Sequence, residues 1–216
     1  MSPPFPYQYI SIEGNIGTGK TSLCQMLARE YNCQLVLEEF ADNPFLPYFY
    51  QDPARYAFTV ELFFMTERHK QLQHSVLKPS LFSEFIVSDY CFWKTIIFAR
   101  KNLNDEEYRL FQRLFHILNN SFPNPDIIVY LHRSSDKLLQ QIRDRGRHYE
   151  QGITQAYLQG IQDSYFEFFK SQTTYPIVIL EAEHLDFVNQ RGHYDELKHI
   201  LKRKFLPGIH RISLRM

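Results

Sequence analysis

Tyr9-Ile10-Ser11-Ile12-Glu13-Gly14-Asn15-Ile16-Gly17-Thr18-Gly19-Lys20-Thr21 decides the fold. Tyr9 to Glu13 is a short β-type run, Gly14 to Thr21 fits G-x-x-x-x-G-K-[ST], and a helical pattern follows from Lys20 to about Tyr31. In this strand–turn–helix setting, small residues let successive backbone N–H groups curl around an anion, and the helix N-terminus adds positive potential. Gly14, Asn15, Ile16, Gly17, Thr18, Gly19, Lys20 and Thr21 are therefore expected to cradle the phosphates of ATP. Lys20 would bridge the β- and γ-phosphates, and the Thr21 hydroxyl would ligate Mg²⁺.

Outward from this loop, apolar β-branched runs recur without clear alternation: Gln34 to Leu37, Phe85 to Ser88, Asp126 to Leu131 and Pro176 to Leu180. Such runs suit strands covered on both faces. Long helical patterns separate them, at Ala54–Ser75, Asp105–Asn119, Ser135–Arg143, Thr154–Lys170 and Asp186–Lys204. Alternating strands and helices predict an α/β domain of the P-loop NTPase fold. Its sheet is expected to be five-stranded and parallel, with helices on both faces. No repeat or low-complexity linker divides residues 1–216, so one domain is expected, with a helical pair from Ala54 to Asn119 around the third strand. The tail Phe205–Met216 reads equally as an ordered extension or a loose end.

The chain has 216 residues, enough to enclose both a core and a buried site. Lys plus Arg and Asp plus Glu are 24 each, so no global basic field exists to attract nucleic acid. No apolar run approaches the ~18 residues of a membrane span. Cys24, Cys33 and Cys91 lack metal spacing, and with no signal peptide the chain reads as cytoplasmic and reduced. The nine histidines show no HExxH pattern, so no metal other than Mg²⁺ is expected. Aromatic residues reach 16%, which suits a bulky core and also a pocket that holds a flat ligand between rings.

A phosphate loop alone does not separate kinases from switches or motors, but a guanine-reading Asn-Lys-x-Asp segment is absent. The acceptor side must decide. Glu38 and Glu39 end the second strand at the carboxyl edge where ligands of open α/β sheets bind, and either carboxylate there can take a proton from a hydroxyl. Asp89 ends the third strand, where it can assist Mg²⁺ or cap a helix starting at Phe92. Arg143-Asp144-Arg145-Gly146-Arg147 places guanidiniums around a glycine between two helical patterns, as expected of a lid over a transferring phosphate at about residues 143–152. Lys202-Arg203-Lys204 reads as a solvated helix end.

With these residues in place, the sequence resembles the deoxynucleoside kinase family from Tyr9 to about Phe205, in particular the bacterial deoxyadenosine and deoxyguanosine kinase type. Glu13 to Thr21 is very similar to the family's phosphate loop. Leu37-Glu38-Glu39-Phe40 through Asn43-Pro44-Phe45 resembles the segment carrying the catalytic glutamate, which implies that Glu38 is the base. Phe49 to Pro53 with Arg55 to Phe58 is similar to a helix that supplies a tyrosine for the sugar 3′-hydroxyl, a role that falls on Tyr50. Arg145-Gly146-Arg147-His148-Tyr149-Glu150-Gln151-Gly152 resembles the family lid, which implies a phosphate clamp by Arg145 and Arg147 and a 3′-hydroxyl contact by Glu150. A homodimer through the helices flanking the third strand is implied as well.

Two positions depart from the family. Its Asp/Glu-Arg-Ser/Thr triplet reads Asp89-Tyr90-Cys91 here, keeping the acid but not the arginine, so a contact near the catalytic glutamate and the 5′-oxygen must be supplied otherwise or lost. Its base-reading glutamine falls on Glu61, beside Arg68, which matches a base-side arginine. A carboxylate only accepts hydrogen bonds, which favours the donor-rich edge of guanine, unless Glu61 serves only to orient Arg68. The expected reaction is transfer of the ATP γ-phosphate to the 5′-hydroxyl of a deoxynucleoside, a purine one, for salvage. The alternatives are a nucleoside monophosphate kinase of the thymidylate kinase type and a non-catalytic nucleotide sensor. The first would need an arginine for an acceptor phosphate near Glu38, and Leu37–Phe45 contains no basic residue.

Overall fold

The computed structural model describes residues 4–39 and 43–214; Phe40 of the glutamate-bearing segment lies outside them, as do Met1–Pro3 and the last two residues of the tail. The strands are β1 (Tyr9–Gly14), β2 (Cys33–Val36), β3 (Phe85–Ser88), β4 (Ile127–His132), β5 (Pro176–Glu181) and β6 (Gly208–Ser213). They form one sheet in the order β2-β3-β1-β4-β5-β6, and every pairing is parallel. The sheet thus has six strands, not the expected five. The tail supplies the sixth, with Ile177 against Ile209 and Leu180 against Ile212. Its residues are alternately half-buried and exposed, so β6 lacks the continuous apolar run that marks the inner strands.

The helices are α1 (Lys20–Glu30), α2 (Leu46–Phe49), α3 (Pro53–Ser75), α4 (Lys94–Asn102), α5 (Asp105–Asn119), α6 (Ser135–Arg145), α7 (Gln155–Ser171) and α8 (Arg191–Leu201). Three helices, α3, α4 and α5, stand where a pair was expected. The α5 boundary follows from local chemistry: the Asn104 side chain accepts from Glu106 N and Glu107 N, and Glu107 returns a bond to Asn104 N. The last helix is shorter than Asp186–Lys204. Asp186 instead closes a turn by accepting the Asn189 N–H, and Lys202–Lys204 lie exposed beyond the helix end.

Strand alternation distributes side chains to two buried faces. Val129, Leu131, Val178 and Leu180 pack with Leu23 and Leu27 of α1 and Leu197 and Ile200 of α8. Ile128, Tyr130, Ile177 and Ile179 face Ile97 of α4 and Ile161, Tyr165 and Phe169 of α7. The outer strands β2 and β3 are covered by α3 and α5 through Val36, Ile86, Val60, Phe111 and Phe115. Because β1 lies between β3 and β4 while β2 lies at the edge, the carboxyl ends of β1, β2 and β3 open on one crevice.

Candidate active site

The phosphate loop leaves β1 with left-handed glycines where the turn demands them. Gly19, at φ 92°, is the residue before α1, and a Cβ there would meet the Phe187 ring at 3.0 Å. A Cβ on Gly14 would lie 2.9 Å from the Leu131 carbonyl. Asn15 ties the loop to α7 by donating from Nδ2 to the Leu158 carbonyl at 2.7 Å. Lys20 Nζ donates to the Asn15 carbonyl at 2.8 Å. Burial and the neighbouring Lys94 ammonium lower the Lys20 pKa to about 8, against the opposing pull of Asp89, Glu13 and Glu38. Beneath the loop, buried Glu13 accepts from Cys91 N at 2.7 Å and from the Tyr165 hydroxyl at 2.8 Å.

Asp89 joins three elements. Its Oδ2 accepts the Thr21 hydroxyl at 2.5 Å, and its Oδ1 accepts the Glu38 N–H at 2.7 Å. It does not cap α4, whose preceding residue is Trp93. The converging Thr21 hydroxyl and Asp89 carboxylate suit Mg²⁺, which takes few protein oxygens and completes its shell with phosphate and water. Among the described residues no group of three or more His, Cys, Asp and Glu could hold a metal ion.

Glu38 is held at both oxygens. Oε1 accepts from Arg68 Nε at 2.8 Å and Nη2 at 2.7 Å, and Oε2 pairs with Lys94 Nζ at 2.5 Å. Burial works against its ionisation, but Lys94 and Arg68 outweigh burial and hold the carboxyl at about 2. Glu39 is exposed and accepts from Gln71 Nε2 at 3.4 Å, so the two neighbouring carboxylates have different surroundings. Lys94 was not legible as a site residue.

Glu61 is 2% exposed. Its Oε1 accepts from Asn102 Nδ2 at 2.6 Å, whereas its Oε2 is buried without a hydrogen-bond partner among the described residues. Burial raises its pKa to about 7, against the pull of Arg68 and Asn102. Arg68 spends its hydrogen bonds on Glu38 and on Thr95 Oγ1 at 3.2 Å, so Glu61 does not bond it. Asn102, at the end of α4, is a second residue that the sequence did not single out.

The arginine-rich segment leaves α6 at Gly146, left-handed at φ 70°, and continues through a 3₁₀ turn at His148–Glu150. Arg145 donates to both Glu150 oxygens, at 2.7 and 2.5 Å from Nη2, and Arg147 Nη1 to Oε1 at 3.3 Å. Gly152 brings this segment against the end of α2, where a Cβ would stand 3.0 Å from the Tyr50 carbonyl.

Lys20, Thr21, Glu38, Tyr50, Glu61, Arg68, Asp89, Arg145, Arg147 and Glu150 line a single cleft with Ile16 and Gly17. Phe49, Phe64, Phe98, Tyr149 and Tyr157 complete its walls, while Phe111, Phe115, Tyr165 and Phe169 are buried in the core. The aromatic excess is thus divided between the core and the walls of this cleft. Thr18 and Gly19 open on an adjoining cleft with Arg133 and Asp186, and Tyr90 lines neither.

This arrangement has relatives. The chain is 30% identical over 193 residues to a deoxyguanosine kinase of Bacillus subtilis, covering 88% of this chain and 93% of that one. It is 29% identical over 202 residues to a deoxyadenosine kinase of Dictyostelium discoideum, covering 91% and 79%. The fold matches the structure of a deoxyadenosine kinase from M. mycoides with bound dATP at a TM-score of 0.76, with 22% identity over 90% of this chain and 98% of the other. The deoxynucleoside kinase family pattern matches residues 10–207. With a phosphate loop, a paired carboxylate and two arginines on one cleft, the chain belongs to the deoxynucleoside kinase family.

Proposed function

We propose that the chain, acting as one unit, transfers the γ-phosphate of MgATP to the 5′-hydroxyl of a purine deoxynucleoside, for salvage. The observation that carries this reading is the convergence of Lys20 and Thr21 with the ionised Glu38 in one cleft. Glu38 takes the 5′-hydroxyl proton as the oxygen attacks phosphorus in line with departing ADP. Lys20, Arg145 and Arg147 hold the charge of the transferring group. Mg²⁺ held by Thr21 and Asp89 supplies further neutralisation of the phosphates. Tyr50 and Glu150 take the sugar 3′-hydroxyl. That contact turns Glu150 away from Arg145, so acceptor binding and the release of a lid arginine toward phosphate are linked.

Glu61 and Arg68 face the base. The unpartnered Glu61 Oε2 favours a ligand donor, as on the N1–H and amine edge of guanine, and the deoxyguanosine and deoxyadenosine kinases among the relatives support a purine. A homodimer through the helices flanking β3 suits the exposed Leu110 and Ile117 of α5. The free cysteines suit the cytoplasm.

The test is a coupled ADP-release assay with MgATP and, in turn, deoxyguanosine, deoxyadenosine, deoxycytidine, thymidine and dTMP. Turnover on a purine deoxynucleoside is expected. Turnover on dTMP alone would make the chain a monophosphate kinase, and silence on all five with ATP bound would make it a sensor.

A further inference from the structure

Lys94 is the first residue of α4 and its side chain is 6% exposed. Both facts are costly. A cation at a helix N-terminus opposes the macrodipole, and a buried ammonium loses its hydration. Its one ion-pair partner among the described residues is Glu38, 56 positions away in sequence. A pair this buried is weak grounds for stability, since apolar residues of similar volume usually serve as well. The cation is therefore best explained by what it does to Glu38.

Tyr90 stands where the family triplet places arginine. Its side chain is fully buried, and its hydroxyl donates to Gln71 Oε1, while Gln71 Nε2 donates to the Leu37 carbonyl at 2.7 Å. Tyr90 thus braces the backbone just before Glu38 and leaves the cleft without that arginine's charge. Lys94 enters from α4, four residues further on, and meets the Glu38 oxygen that Arg68 leaves open.

We propose that Lys94 is a positioning residue for the Glu38 carboxylate, supplying from α4 the cation that Tyr90 displaces. Arg68 fixes one oxygen and Lys94 the other, so the carboxylate is locked in one rotamer when the acceptor hydroxyl arrives. The remaining charged or titratable groups facing Glu38 are Lys20 on α1, Glu61 on α3, and Asp89 and Tyr90 after β3. Lys94 acts through Glu38, and this role rests on the proposed reaction.

The experiment is a double-mutant cycle on the full chain with K94M, K94R, E38Q and K94M/E38Q, in the ADP-release assay with the best deoxynucleoside. K94M is expected to lower kcat by about 10–10² while KM for MgATP moves less than about threefold, and K94R to recover most of the loss. In the E38Q background K94M is expected to cost nothing further, because its effect passes through Glu38. Multiplicative losses, or a K94M kcat above half of wild type, would overturn the proposal. A second reading needs no turnover: crystal structures of wild type and K94M. The Glu38 Oε2 that Lys94 holds is expected to leave its position in K94M, and an unmoved carboxylate would overturn the proposal even if no deoxynucleoside were phosphorylated. Wild-type silence on every acceptor with the carboxylate displaced would instead refute only the proposed reaction.

Discussion

Replacing Glu61 by Gln should make the protein more stable in alkaline solution and leave it nearly unchanged in acid. In the fold Glu61 is buried, with Oε2 unpartnered, and its pKa is raised from 4.5 to about 7. A carboxyl with a raised folded pKa binds its proton more tightly in the native state. Its contribution is therefore fully present below pH 4.5 and is lost as pH rises through 7. Above pH 8 the loss approaches about 3 kcal/mol, from 1.36 kcal/mol for each pKa unit. Gln keeps an acceptor for Asn102 and never ionises, so E61Q should escape that loss. For a chain of this size the difference corresponds to about 6–12 °C in Tm. The assay is urea or thermal unfolding of wild type and E61Q at pH 5 and pH 8.5, with the quantity of interest being the change in their difference between the two. Any constant effect of the substitution cancels. If the gap at pH 8.5 exceeds that at pH 5 by less than about 0.5 kcal/mol, Glu61 ionises in the fold without penalty and the reasoning fails.

E38Q should reduce kcat by about 10²–10⁴ while the thermal shift given by MgATP persists, as measured by turnover and melting curves in parallel. Y165F removes the hydroxyl that buried Glu13 accepts at 2.8 Å and should cost about 1–3 kcal/mol in urea unfolding, with Glu13 left one bond short beneath the phosphate loop. G19A forces a Cβ into a φ of 92° and against Phe187, and should weaken ATP binding in calorimetry more than the same change at Gly192, where a Cβ would meet nothing within 4 Å. Deleting residues 208–216 uncovers the β5 edge and should lower Tm and promote aggregation, seen by light scattering.

The sequence by itself determined what is encoded by neighbours along the chain. The phosphate loop is eight consecutive residues whose backbone does the binding, so its chemistry was legible from Gly14 to Thr21. The four inner strands, β1, β3, β4 and β5, read as apolar runs because both their faces are covered, and α5 read correctly because its cap and its hydrophobic face are local. Glu38, Tyr50, Arg145, Arg147 and Glu150 were reached through motif resemblance, and they meet in one cleft. The resemblance favoured Glu38 over Glu39, and the tertiary structure adds their different surroundings, because the partners Arg68 and Lys94 of Glu38 come from α3 and α4. Only the tertiary structure decided that Lys94 and Asn102 face the site, because a lone lysine or asparagine in a helix carries no signal until α4 is packed beside α3 and brought to Glu38. The tail became β6 for the same reason. Its half-exposed alternating residues have modest preference of their own, and they become a strand only where the open edge of β5 offers hydrogen bonds to a parallel partner.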